Sequence, residues 1–490
     1  MDFDLFLVND LPDLPTFDSN ALENENVEAV CVPQYAPGYL RSVLPAALPN
    51  DGEAYRKVLK EIRKYIRPKA IPWQGANYFA DLPTSQHYTS VMSDMISDSI
   101  GRGKHSWIHS NAADDLEEIM LDWLAKMLGL PVEFHFCDSR GKETGGGGVI
   151  QGGLTTATSS TILASMQKAL LHLDKEFPET SEGEDFSRMV AYCSDKVVSL
   201  YAPRITIRPV DSDLKRALQG RALEAAIERD REDGLFPIYV MVELGSGPGC
   251  FFDNLSEISK IAKRENLWLH VNAGSVGSAF ACPEFRKSLT GIQNVDSFQF
   301  TPNKTMIQLF NGTCLWVKSL QDFSEVFGSK PAPFFPSRFL KHATPSYDHF
   351  KLVIDRRFLA LQLWFNLRNF GVNGLQSVLR ERHTNAKQLI SYLRNDRRLD
   401  VVSERGSPLR GEVLFYVLGN RMLTELLLDK LMATHPVAME IEETSDELVM
   451  IKVDIFEYPT LEDVDRLWKL IFSCMNKLLP DAKRRARLLM

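Results

Sequence analysis

Lys304 lies in DSFQFTPNKTMIQLFNGTCLWVK (residues 296–318), where an apolar, aromatic-rich run breaks at Pro302 and an apolar, strand-like stretch resumes at Gly312. An ammonium on a tight turn between two buried strands is costly to desolvate, and burial suppresses its charge. A lysine in that condition is the residue type that forms Schiff bases with carbonyl compounds. The same local sequence also suits a lysine that simply reaches solvent from a strand end. A second stretch bears on chemistry: Gly145 to Gly148, then Val149-Ile150-Gln151-Gly152-Gly153, run into the hydroxyl-rich Leu154-Thr155-Thr156-Ala157-Thr158-Ser159-Ser160. Glycines leading into a helix start leave backbone N–H groups free at the positive end of the helix dipole, which suits a phosphate. No Gly-Lys-Ser/Thr follows, so this is not a P-loop. A flexible loop closed by a threonine N-cap reads equally well from this stretch alone.

The elements that would position these residues alternate. Met189 to Cys193 reads as a strand and Lys215 to Arg231 as a helix; Pro237 to Leu244 is a strand, Leu255 to Arg264 a helix, and Leu267 to Val271 and Ser297 to Phe300 are strands. Short apolar strands separated by amphipathic helices indicate βαβ units and a mostly parallel, doubly covered sheet. Ligands gather at the carboxyl ends of such strands, where Asp195, Ser246, Asn272 and Lys304 fall. Ile162 to Leu173 is helical, and so is Asp114 to Leu128. In the latter, Leu116, Ile119, Met120, Trp123 and Met127 form one stripe for core or dimer packing, with Gly129 at the C-cap. Ala54 to Tyr65 shows helical spacing, and Arg356 opens a long helical region to about Tyr392. Glu412 to Leu418 and Leu448 to Ile455 read as strands of a smaller α/β unit closed by the helix Leu461 to Leu479. Residues 1 to about 30 read as a loosely ordered acidic arm, Lys330 to Pro336 as a loop, and Lys483 to Arg487 as a solvated basic end.

The 490-residue length implies two or three packed units, and the 44% hydrophobic and 24% charged content excludes wholesale disorder. A net charge of -8 argues against nucleic acid as a partner. Seven scattered cysteines without a CxxC pair fit reduced thiols rather than a disulfide framework or a zinc site. No apolar run reaches membrane-spanning length, and no Lys or Arg precedes Arg41, as a secretory or mitochondrial leader would require. The expectation is a soluble cytoplasmic protein that requires no metal.

A glycine-led anion site, a strand ending at Asn272 and a turn lysine 32 residues later (304 minus 272) together suggest a pyridoxal-phosphate pocket. The chain resembles the group II pyridoxal-phosphate decarboxylases, in the aromatic-L-amino-acid and histidine decarboxylase branch. PGYLRSVLPAALP, LEEIMLDWLAKMLGLP, GGGVIQGG, FDNLSEI, LWLHVNAGSVGSAFACPEFR, DSFQFTPNKT and the RRF at Arg356 carry the resemblance, which covers roughly residues 34 to 480. It implies an α/β protein of the fold-type-I class, with a mostly parallel seven-stranded sheet in a large domain and a small C-terminal α/β domain. The corresponding division is an N-terminal, dimer-embracing segment over 1–85, a cofactor domain over 86–385 and a small domain over 386–490. It further implies a homodimer that decarboxylates an L-amino acid as its small-molecule substrate. Lys304 would be the Schiff-base lysine, Leu154 and Thr155 would supply phosphate-binding amides or hydroxyls, Ser246 would add another polar contact, and Asp195 would lie beside the ring in the family's SDxxxS segment.

The departures from the resemblance cluster in this site. The family's HVDAA segment carries an aspartate that keeps the pyridine nitrogen protonated, and here that residue is Asn272. Charge-assisted hydrogen bonds contribute ~1.5–3 kcal/mol against ~1 for neutral ones, so the electron sink should weaken. The ring-stacking histidine falls at Val198, forfeiting about 0.5–1.5 kcal/mol of stacking. The histidine before the lysine is Asn303, and the tyrosine that resembles the proton donor is Phe339, on a shortened loop from Leu340 to Asp355. Family members with phenylalanine there are oxygen-using aldehyde synthases. In the substrate pocket Asp81, Leu82 and His105 stand at positions expected to be aromatic, beside Pro83, while Trp73 and Thr84 are kept. Three activities follow from the resemblance: a decarboxylase with altered substrate, an aldehyde synthase, or a non-catalytic relative acting through dimerisation or binding.

Overall fold

The computed structural model describes residues 38–45, 47–66, 78–80, 88–100, 107–176, 186–194, 205–210, 217–246, 250–274, 276–302, 312–327, 358–402, 407–419, 421–434, 437–443, 448–455 and 460–479. After the short helices Tyr39–Val43 and Tyr55–Glu61, the latter running into a π-helical turn over Ile62–Ile66, the longer helices α1 (Tyr88–Ile100) and α2 (Trp107–Leu128) precede the sheet. Its strands and helices then run β1 (Gly147–Gln151), α3 (Leu154–Glu176), β2 (Met189–Cys193), β3 (Thr206–Pro209), α4 (Gly220–Glu232), β4 (Phe236–Ser246), β5 (Phe251–Phe252), α5 (Leu255–Arg264), β6 (Trp268–Asn272), β7 (Ser297–Phe300), β8 (Thr313–Val317) and α6 (Leu320–Phe327). Seven strands lie in the order β1-β8-β7-β6-β4-β2-β3, with β5 pairing onto β4. The four pairings from β7 across to β3 are parallel, and β8 is antiparallel to both of its neighbours. The expected mostly parallel sheet is therefore present.

Both faces are covered, which explains why its strands read as continuous apolar runs rather than alternating ones. One face buries Val240, Val242, Leu269, Val271, Phe298 and Trp316 against α2, α4 and α5. The other packs Tyr239, Met241, Trp268 and Leu315 against Ile162, Met166 and Leu170 of α3 and Phe323 of α6. Each large side chain removed from water in this way contributes about 1.5–3 kcal/mol. Among the described residues no helix is long and apolar enough to cross a membrane, and the six described cysteines are free thiols.

The second sheet has the order β11-β12-β10-β9, formed by β9 (Leu399–Val401), β10 (Glu412–Val417), β11 (Glu440–Glu443) and β12 (Val449–Asp454). Helices α8 (Arg421–Thr434) and α9 (Leu461–Leu478) bury Leu427, Leu431, Leu467 and Ile471 against it. Thr460 and Asp463 close the start of α9 as a reciprocal capping box. Helix α7 (Leu359–Arg394) joins the two cores. Leu363, Leu375 and Leu379 belong to the first and Ala386, Leu389 and Leu393 to the second, and the helix is interrupted at Gly371 (φ 62°). The short segment 78–80 docks on this second unit: the Phe79 amide donates to the Ala438 carbonyl (2.8 Å), and the Phe79 carbonyl accepts from the Asp454 amide (2.8 Å).

Several expectations need correction. The Gly145–Gly148 run is loop only in its first half: Gly145 and Gly146 precede the sheet, whereas Gly147 and Gly148 begin β1, and all of β1 is buried. Glycine is required there because the backbones and rings come close. A Cβ on Gly147 would approach the Phe136 ring to 2.5 Å, and one on Gly148 would approach Trp316 to 2.9 Å. The stripe on α2 divides. Met120 and Met127 are buried with Leu121, Leu124 and Leu128, whereas Ile119 and Trp123 are 46% and 41% exposed. Gly129 does terminate that helix, with φ of 76°. Helix α4 starts at Gly220 rather than Lys215, after the Leu218 amide has been taken up by the Asp253 carboxylate (2.7 Å). Helix α3 begins at Leu154, well before Ile162, because the glycines lead directly into it.

Candidate functional site

The parallel strands β2, β4, β6 and β7 all end on one edge of the sheet. Cys193 ends β2, two residues before Asp195; Ser246 ends β4, Asn272 ends β6, and Phe300 ends β7, four residues before Lys304. Of the expected site residues, Leu154, Thr155 and Asn272 are described with their side chains, and Ser246 by its backbone alone. Lys304, Asn303, Asp195, Val198, Trp73, Asp81, Leu82, Pro83, Thr84, His105 and Phe339 lie outside the described residues, as do the loops Lys330 to Pro336 and Leu340 to Asp355 and the two chain ends. The chain enters and leaves the lysine segment from adjacent points. Thr301 and Thr313 share a hydroxyl hydrogen bond of 2.9 Å, and the Thr301 amide donates to the Gly274 carbonyl just past Asn272.

At that edge a transverse row of polar side chains crosses three strands. Glu243 pairs with Asn272, and Asn272 with Gln299, in the parallel register, so all three face the side covered by α3. Gln299 Nε2 donates to Thr158 Oγ1 of α3 at 2.8 Å. Asn272 Oδ1 accepts from the Gly274 amide (3.1 Å), and its Nδ2 donates to Glu243 Oε1 (3.5 Å). These bonds fix the amide orientation, since reversing it would set one donor against another. All three side chains are nearly buried, at 9%, 6% and 0% exposure for Glu243, Asn272 and Gln299.

One layer beneath, Trp268 Nε1 donates to Ser297 Oγ (2.8 Å), which lies 2.8 Å from His270 Nδ1. The Ser297 proton is then directed at Nδ1, which places the His270 proton on Nε2. Burial drives the His270 pKa down to about 3, against the opposing hydrogen bonds of Ser297 and Gln299, so the ring is neutral near pH 7. A buried carboxylate holds the β4 end in place. Asp253 accepts from the amides of Leu218 and Glu243, each at 2.7 Å, while its own amide donates to the Glu243 carbonyl (3.0 Å). Burial, opposed by those hydrogen bonds and assisted by the Glu243 charge, pushes Asp253 up to about 7. Asp253→Asn leaves one amide facing an NH2 group. It should destabilise the fold by about 1–3 kcal/mol, read as a lower urea midpoint at unchanged slope; an unaltered midpoint would mean that the clamp contributes nothing.

The start of α3 faces the same region. A helix leaves its first amides without intrahelical partners, here those of Leu154, Thr155 and Thr156. A Cβ built on Gly152 or Gly153 meets no atom of the described residues within 4 Å, in contrast to the crowded Gly146 to Gly148. Leu154 is half-buried and Thr155 exposed at this open cradle. Free amides, a helix dipole and open space fit a phosphate, and the buried Glu243–Asn272 pair fits a heteroaromatic nitrogen. Pyridoxal phosphate carries both groups, so the described residues fit it.

Sequence reasoning singled out Asn272 and the α3 start, but missed Glu243, Gln299, Thr158 and Asp253. Glu243 did carry a signal: a carboxylate inside the otherwise apolar PIYVMVELG of a central strand is out of place there. Gln299 and Thr158 carried none, because only the register and the helix packing bring them together.

Comparison with known proteins agrees with this geometry. The family model described as pyridoxal-dependent decarboxylase conserved domain matches residues 37–416. Aromatic-L-amino-acid decarboxylase of Rattus norvegicus is 36% identical over 404 residues, 81% of this chain and 83% of that protein. The crystal structure of Catharanthus roseus tryptophan decarboxylase in complex with L-tryptophan superposes with a TM-score of 0.80 at 28% identity, covering 94% of this chain and 96% of that one. Rhodiola rosea 4-hydroxyphenylacetaldehyde synthase superposes at 0.79 with 26% identity, covering 92% and 93%.

Proposed function

Because the chain belongs to the pyridoxal-dependent decarboxylase family, we propose that it is a carboxy-lyase acting on an L-amino acid, with Lys304 holding pyridoxal phosphate. The observation that carries this reading is the open glycine cradle at the α3 start, set on the same sheet edge as the buried Glu243–Asn272 pair. When bound, the cofactor supplies an electron sink for the pair released as the carboxylate leaves. The chain's own residues supply the rest. The amides of Leu154 and Thr155 would hold the phosphate, with Ser246 a further polar contact to the cofactor, and the α3 dipole would favour the phosphate charge. Asp195 and Val198 would lie against the ring, Val198 filling space without stacking, and Asn303 precedes the lysine in sequence. Trp73, Asp81, Leu82, Pro83, Thr84, His105 and Phe339 form the substrate pocket, where Asp81 and His105 favour a substrate more polar than an unsubstituted aromatic side chain.

The proposal extends to assembly. Tyr55, Val58, Ile62, Ile119 and Trp123 leave apolar surface uncovered on this chain, which supports a homodimer embraced by the segment 1–85, with a cofactor domain over 86–385 and a small domain over 386–490. The scattered free thiols favour a cytoplasmic setting. A second reading, the oxygen-using aldehyde synthase, is favoured by Phe339, because phenylalanine has no proton to donate.

Borohydride reduction of the cofactor-saturated protein, followed by peptide mapping, tests the proposal. Pyridoxyl label is expected on Lys304. Its absence at saturation overturns the enzyme reading and leaves a relative that acts by binding alone. With label present, amine and carbon dioxide mark the decarboxylase, and aldehyde with hydrogen peroxide marks the synthase.

A further inference from the structure

We infer that Glu243, one strand away from Asn272, is the carboxylate that accepts the ring N–H of the bound cofactor. The inference rests on the proposed cofactor site and names the residue that replaces the missing aspartate. A protonated ring nitrogen is a donor and needs an acceptor. Asn272 is the weaker acceptor, because its oxygen is uncharged and already accepts from the Gly274 amide, while its NH2 is directed at Glu243 Oε1 3.5 Å away. Glu243 is the register neighbour of Asn272, on the same face of the sheet and 9% exposed.

Its backbone is held from both sides, by the Asp253 carboxylate on its amide and the Asp253 amide on its carbonyl, so the side chain stands on a fixed base. Asp253 adds a second carboxylate to this corner, and the Glu243 charge is one of the causes that raise its pKa, after burial. Two close carboxylates favour positive charge placed between or beside them. A pyridinium supplies that charge, and the Asn272 NH2 then bridges to the carboxylate and orients it. Glu243 therefore acts on the cofactor directly, through a contact whose strength depends on the protonation state of the ring.

The test is 15N NMR of the full-length protein saturated with pyridoxal phosphate labelled at the ring nitrogen, with cofactor affinity measured alongside. In the wild type the ring nitrogen should resonate as a pyridinium. In Glu243→Gln it should move to the unprotonated position while affinity falls roughly 10- to 100-fold, the equivalent of a lost charge-assisted hydrogen bond. Glu243→Gln combined with Asn272→Asp should restore the pyridinium signal, and this pair also shows that loss in the single variant is not misfolding. An unprotonated ring in the wild type overturns the inference, since Asn272 Nδ2 would then be donating to a bare nitrogen. So does a pyridinium signal that survives Glu243→Gln. Should the wild type bind no cofactor, with no label on Lys304, the proposed function and the inference fail together; a labelled Lys304 with either contrary spectrum overturns the inference alone.

Discussion

Gly146→Ala is expected to cripple folding, while Gly153→Val, seven residues on, leaves the fold intact and weakens cofactor binding. The two changes add bulk to one glycine-rich stretch, and the surroundings decide the outcome. A methyl on Gly146 overlaps the backbone carbonyl oxygen of Glu133 and crowds that of Val317 at 3.1 Å. Backbone cannot swing aside as the end of a flexible side chain can. Overpacking of that kind costs about 3 kcal/mol, at the edge where β1 pairs with β8 over the full register from Gly147 with Val317 to Gln151 with Thr313. Among the described residues Gly153 has open space around its Cβ position and no left-handed backbone, so valine meets no clash with them. It does fill the volume in front of the α3 amides. Losing one or two charge-assisted contacts to phosphate should weaken pyridoxal-phosphate affinity roughly 10- to 100-fold. Thermal unfolding of the cofactor-free proteins and spectroscopic titration with cofactor separate the two effects. Equal stability for the variants would mean that the stretch is one loop, and unchanged cofactor affinity in Gly153→Val would move the phosphate elsewhere.

The second large effect concerns acid. His270 is fully buried and neutral, its pKa held near 3 by burial. In the unfolded chain the same imidazole titrates near its ordinary value of ~6.5. Above that value neither state binds the proton, and His270 contributes nothing to the pH dependence. Between about 6.5 and 3 the unfolded state binds a proton that the folded state refuses, so stability falls as pH falls, by up to ~1.4 kcal/mol per pH unit. By pH 4 the loss from this one group is roughly 3 kcal/mol. His270→Leu removes the titration but also the Ser297 hydrogen bond and the stacking against Tyr239, whose ring centroid lies 6.1 Å away. The variant should therefore be less stable at pH 7 yet lose stability more slowly on acidification. Urea unfolding between pH 7 and 4 gives both slopes, and coincident slopes would remove His270 from the acid response. Carboxylates elsewhere, Asp253 among them, titrate alike in both proteins and cancel in the difference.

How much of this was legible beforehand differs from one element to the next. Leu255–Arg264 and Ser297–Phe300 match the sequence reading residue for residue, because each is a short apolar or amphipathic run with clear punctuation. β1 was not legible: glycine lowers strand propensity, and only the approach of Phe136 and Trp316 explains a strand made of it. Ile119 and Trp123 were placed with Met120 on one helical face, yet they stand exposed. The 3.6-residue period marks an apolar stripe without saying how much of it this chain covers.

The amino-acid sequence by itself determined the alternation that makes a parallel sheet, the glycines before a helix start, and the asparagine at a strand end. These are local properties, readable from periodicity and residue type. The tertiary structure decided that the end of β4 lies beside the end of β6. That adjacency sets Glu243 against Asn272 across 29 residues of chain and divides the glycines into packed ones and open ones. Strand register and close packing are long-range constraints, and no single stretch of sequence contains both partners of such a contact.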